Sequence, residues 1–133
     1  MKLVFADTFY FLAVFNPDDQ YHQQTRSLSK QMQARYLTTE WVLVEMADAM
    51  ANVFSRSKVS SIVAGIHASP QWEIAAASSV QLQRALQFYD QHRDKAWTLT
   101  DCTSFLIMRE RGITEALTGD RHFEQAGFIA LLK

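Results

Sequence analysis

The chain of 133 residues is poor in the residues that staple, break or strongly charge a protein: one cysteine, two prolines, four glycines, and 13 Lys and Arg against 14 Asp and Glu. A lone Cys102 excludes an internal disulfide, and with no CxxC or Cys/His cluster a thiolate zinc site is excluded too. That cysteine usage reads as a reduced, intracellular chain. No window approaches about 18 uninterrupted apolar residues and no cleavable signal pattern opens the sequence, so a cytoplasmic protein with no membrane contact is expected. A net charge of -1 argues against the broadly basic surface of a generic phosphate binder. Any contact with RNA must then come from a local patch. There is no repeat, low-complexity tract or linker, which leaves residues 1–133 as a single domain.

What the sequence does have is core material, with 48% hydrophobic and 12% aromatic residues. The run Leu3-Val4-Phe5-Ala6 is continuously apolar and ends in Asp7, the pattern of a strand buried on both faces in a parallel sheet. Thr8 to Phe15 reads as a buried helix. Asn16-Pro17-Asp18-Asp19 makes a turn, and a polar helix follows over 20–34. A second strand is expected at 35–38, then an apolar helix over 41–54 capped by Thr39, and an amphipathic helix over 56–67. A third strand at 72–76 precedes a helix over 80–92 with Leu82, Leu86 and Tyr89 on its apolar side. A helix over 102–111 ends at Gly112, a fourth strand covers 116–118, and a short helix over 120–125 is broken by Gly127 before a last strand. This alternation predicts an α/β fold, a three-layer α/β/α sandwich around a mostly parallel four- or five-stranded sheet. The apolar excess of residues 41–67 predicts a homodimer through that surface.

Four carboxylates stand out: Asp7 after the first strand, Glu45 inside an apolar helix, Asp101 before a helix, and Asp120 after the fourth strand. Each has a structural explanation, since an aspartate at a helix start caps free backbone N–H groups and a buried glutamate can pair with a cation. Jointly they point elsewhere, because in a parallel sheet the strand ends carrying Asp7 and Asp120 fall on one edge. Converging carboxylates without a basic partner suit a hard divalent cation, Mg²⁺ or Mn²⁺, and with it phosphodiester chemistry. A phospho-acceptor receiver domain and a non-catalytic interaction domain are competing readings of the same pattern.

At these residues the chain resembles the PIN-domain family, and most closely the ribonuclease toxins of bacterial type II toxin-antitoxin pairs of the VapBC type. The run from Glu115 to Phe123, containing Thr118-Gly119-Asp120-Arg121-His122, followed by Ala126-Gly127-Phe128, is similar to the family's C-terminal signature. Thr98 to Phe105, Val42-Leu43-Val44-Glu45, Phe5-Ala6-Asp7-Thr8 and the Asn16 to His22 loop fall in the matching order. The resemblance implies a metal-dependent endoribonuclease whose metal is held by Asp7, Glu45, Asp101 and Asp120, with Thr8 and Thr118 orienting those ligands. Arg121, His122 and His22 are candidate RNA contacts, each with a structural alternative, Arg121 pairing with a surface carboxylate and His122 packing under Phe128, and a small cognate antitoxin is the implied partner. A housekeeping RNA-processing nuclease is the alternative within the class. Trp41 and Trp72 lie in apolar elements and are expected in the core, and Cys102 as a small buried residue.

Overall fold

The computed structural model describes residues 1–133. Its strands are β1 (Leu3–Ala6), β2 (Arg35–Thr39), β3 (Trp72–Ala75), β4 (Glu115–Leu117) and β5 (Ile129–Ala130). Its helices are α1 (Thr8–Phe15), α2 (His22–Gln31), α3 (Glu40–Ala49), α4 (Arg56–Ala68), α5 (Ser79–Gln91), α6 (Leu99–Glu110) and α7 (Arg121–Gln125). All five strands pair in parallel in the order β3-β2-β1-β4-β5. β1 is central, and consecutive Val4, Phe5 and Ala6 are all fully buried. Because neighbouring strand residues point to opposite faces, both faces of the sheet are covered, as in an α/β/α sandwich.

This order settles one competing reading. The receiver fold places β1 between β2 and β3, whereas here β1 sits between β2 and β4. The connection from β3 to β4, carrying α5 and α6, must pass over β2 and β1. The strand order therefore reverses between β1 and β4, and in open α/β sheets the crevice beyond the strand ends at such a point is where ligands bind.

Local chemistry moves several expected boundaries. The helix expected over 41–54 stops at Ala49, because Asn52 Oδ1 accepts from the amides of Phe54 and Ser55 and forms a turn that competes with helix. The helix expected over 20–34 is trimmed to His22–Gln31, with Asp19 Oδ1 accepting from the Tyr21 amide ahead of it. α6 starts three residues earlier than expected, at Leu99, for a reason that bears on the site. Gly112 at φ +66° and Gly127 at φ +95° end α6 and α7 in the left-handed conformation that glycine adopts without a Cβ clash.

One face was also misjudged. In α5 the buried residues are Ala85 and Phe88, while Leu86 and Tyr89 are about half exposed. Phe88 stacks on buried Trp97, which packs edge-on against Phe105, and that stack rotates the helix away from the Leu82-Leu86-Tyr89 stripe. Trp72, expected in the core, stacks on Tyr36 across β2 and β3 and packs against the core while only half-buried.

Candidate metal centre at the β1/β4 strand ends

Asp7 follows the last residue of β1 and is the N-terminal boundary residue of α1, yet its side chain makes no capping bond. Its carboxylate turns instead toward β4, where Thr118 Oγ1 donates to Asp7 Oδ2 at 3.0 Å. The same Thr118 oxygen accepts from the Asp120 amide at 3.1 Å, so one buried hydroxyl ties the ends of both strands together. Asp120 caps α7 by accepting from the His122 amide at 2.9 Å.

Asp101 lies inside α6, third in the helix, and not before it. Thr98 is the cap: its hydroxyl accepts from the Asp101 amide at 3.0 Å while Asp101 Oδ2 accepts from the Thr98 amide at 3.0 Å. The Thr-x-x-Asp spacing of this reciprocal pair is visible in the sequence and marks the helix start that the apolar pattern missed. The bond holds a carboxylate that is only 6% exposed, aimed at the strand ends.

His122 completes the group. Its Nδ1–H donates to Asp101 Oδ2 at 2.9 Å and lies 3.5 Å from Asp120 Oδ1. Asp101, Asp120 and His122 can each offer one ligand atom, all within 4.8 Å of one another. The sequence placed His122 at the site's edge as an RNA contact; its Nδ1 is in fact committed to the carboxylates.

Glu45 projects from α3 and accepts a hydrogen bond from Thr8 Oγ1, the residue after Asp7. It is half buried, while its neighbour Val44 is exposed, so α3 presents Glu45 along the rim of its buried face. Electrostatics link all four acids. Asp7 is pushed up from 3.8 to about 7, first by burial, then by the charge of Asp101 and, more weakly, Glu45; the Thr118 bond opposes the rise. Asp101 is also raised, by burial and by Asp120, against the bonds from Thr98 and His122. No lysine or arginine pairs with any of the four; the lysine and arginine ion pairs all lie elsewhere.

The remaining candidates sit apart from this group. Arg121 is exposed and makes no ion pair. His22 donates from Nδ1 to the Ala13 carbonyl at 2.8 Å, on the flank of α1. Trp97 is buried and donates to Gln125, whereas Trp41, expected in the core, is only half-buried and donates from its ring N–H to Gln81. Cys102 is fully buried, and burial with the adjacent Asp101 charge raises its thiol to about 11, so it is protonated at neutral pH and inert as a nucleophile.

No family model matches the chain. Among curated proteins it is 25% identical over 127 residues to the 23S rRNA-specific endonuclease VapC20 of Mycobacterium tuberculosis, covering 96% of both chains. Among solved structures it superposes on VapC20, described as a sarcin-ricin loop cleaving toxin, with a TM-score of 0.86 at 23% identity over 96% of this chain and 98% of that one. FitAcB of Neisseria gonorrhoeae aligns at TM-score 0.65 and 12% identity, covering 96% and 94% of the two chains. DNA-bound VapBC of Salmonella typhimurium aligns at 0.64 and 14%, covering 98% and 96%. In fold, and in sequence along almost its whole length, the chain resembles the PIN-domain toxins of the VapC type.

Proposed function

We propose that this protein is a metal-dependent endoribonuclease that hydrolyses RNA phosphodiester bonds as the toxin of a type II toxin-antitoxin pair. The observation that carries the reading is the meeting of Asp7, Asp101 and Asp120 at the β1/β4 strand ends, joined through Thr118 and His122 and unbalanced by any lysine or arginine. Such a cluster is costly for the folded chain unless a cation joins it. A donor set of carboxylate oxygens with one imidazole nearby fits Mg²⁺ or Mn²⁺. Asp7, Glu45, Asp101 and Asp120 would hold the ion. When bound, it stabilises charge on phosphoryl oxygens and lowers the pKa of a water.

The chain's own residues do the positioning. Thr118 and Thr8 set the rotamers of Asp7 and Glu45, and the Thr98 cap with His122 sets that of Asp101. Asp120 Oδ1 is taken by the His122 amide, leaving Oδ2, on a side chain 34% exposed, to hold an attacking water. Arg121, exposed beside it, meets the phosphate backbone. VapC20 is described as specific for 23S rRNA, so a structured ribosomal RNA loop is the first substrate to try. A cognate antitoxin would silence the site by covering it, and an arginine fork suits a carboxylate cluster in charge and shape.

The experiment is RNA cleavage by purified protein with and without Mg²⁺ or Mn²⁺, in wild type and Asp7→Asn. Cleavage should require the metal, and Asp7→Asn should lower it by about three orders of magnitude or more, as loss of a key charge at a site of this kind does, with an unchanged circular dichroism spectrum. Full activity in excess chelator would rule the metal out.

A further inference from the structure

α2 carries a feature that the carboxylate site does not explain. His22, Arg26 and Lys30 recur at four-residue spacing and so form one row along the helix, about 12 Å long at 1.5 Å per residue. With Gln23 and Ser27 they line a shallow surface depression of about 210 Å³ that contains no apolar residue. The helix has no carboxylate of its own. Asp19, just ahead of it, is turned to the Tyr21 amide. Arg26 and Lys30 are exposed and form no ion pair, although five other cations of this nearly neutral chain do. The flank beside the row turns to the core, with Thr25 buried and Ser29 donating to Tyr10.

The row connects to the strand ends. Tyr21, immediately before α2, packs on Phe9 at 4.9 Å between ring centres. Phe9 in turn fills the space a side chain at Gly119 would take, 2.5 Å from where its Cβ would be. Gly119 lies between Thr118, which holds Asp7, and Asp120. From the carboxylates the surface thus runs over Gly119, Phe9 and Tyr21 to His22 and the cationic row.

We propose that this row on α2 is a docking track for the sugar-phosphate backbone of the RNA substrate away from the scissile bond. The occupant is RNA because two unpaired cations one helical turn apart, set with His22 among amide and hydroxyl groups without apolar surface, match successive phosphates and offer a protein helix nothing to bury. The proposal rests on the endoribonuclease reading and deepens it: it assigns substrate affinity to Arg26 and Lys30, where Asp7 and its neighbours carry the chemistry.

The test measures binding without cleavage. Asp7→Asn protein in chelator is titrated onto a fluorescein-labelled RNA stem-loop across a salt series, alone and with Arg26→Gln plus Lys30→Gln. Arg56→Gln plus Lys58→Gln on α4 removes the same charge from another surface as a control. Losing two phosphate contacts should weaken binding about tenfold and reduce the slope of log K against log salt by about 1.5, with the α4 pair near the parent. Unchanged affinity and slope in the α2 pair, an equal loss in the α4 pair, or no binding by the parent would each overturn the track. A wild-type protein that binds but cleaves nothing bears on the nuclease reading alone.

Discussion

Asp7 shows how one residue can be costly to the free protein and central to its use. Its carboxyl titrates near 7 when folded and at an ordinary 3.8 when unfolded, because burial and the Asp101 charge both disfavour ionisation. Between those values the folded chain keeps a proton that the unfolded chain has released. The folded state then binds more protons, and stability falls as pH rises across that window. At 1.36 kcal/mol per pH unit the upper bound on the loss is about 4 kcal/mol. Asp101, raised in the same direction, adds to it. In chelator, the melting temperature should therefore drop between about pH 4 and about pH 7, and Asp7→Asn should flatten much of the drop. A melting temperature that climbs over that range would contradict the burial of an unpaired carboxyl at this position.

At the scale of elements, α6 is the device that delivers Asp101. The reciprocal bonds between Thr98 and Asp101 satisfy two backbone donors at the helix start and fix the carboxylate in the same stroke. Thr98→Ala removes the side-chain acceptor and should cost about 1 kcal/mol of stability. Thr98→Ala keeps the backbone amide that donates to Asp101 Oδ2, and His122 donates to the same oxygen, so cleavage should fall much less than stability, and Thr98→Ser should restore the stability. Thermal melts paired with cleavage rates check this; a collapse of cleavage in Thr98→Ala would show that the Thr98 hydroxyl, through the Asp101 amide, is what sets the carboxylate. α5 and α3 illustrate the converse, elements whose exposed faces the core does not use. Val44 lies one turn beyond Trp41 and is 58% exposed, and Val80 adjoins Gln81 and is 64% exposed. A Trp41–Gln81 hydrogen bond links the two helices.

For the whole molecule, that exposed apolar surface is the ground on which we infer a homodimer. The sequence assigned the interface to residues 41–67, but Ile62 and Ile66 of α4 are buried in this chain's own core. Within that stretch only Val44, Val53 and Phe54 remain as large exposed apolar side chains, and outside it α5 exposes Val80, Leu86 and Tyr89. Light scattering at tens of micromolar, about the range where weak dimers persist, should give twice the chain mass, and Val44→Glu with Val80→Glu should give a monomer of unchanged helicity. A wild type that is already monomeric would refute the interface. No helix is long and apolar enough to cross a membrane.

The sequence by itself determined the class of fold and singled out the acids as candidates. A doubly buried first strand needs an unbroken apolar run, and Val4-Phe5-Ala6 supplies one; Gly112 and Gly127 end their helices because only glycine takes their backbone angles at low cost. Asp7, Asp101 and Asp120 could be named because each stands at a strand or helix end, a local property that spacing reveals. Tertiary structure alone decided the rest. That Thr118 joins Asp7 to Asp120, that His122 serves Asp101, and that Phe9 bridges Gly119 to Tyr21 are contacts between residues up to 111 positions apart. Nothing local encodes such distances. They follow from the reversal of strand order between β1 and β4, which sets the first and fourth strands side by side and brings their ends into one crevice.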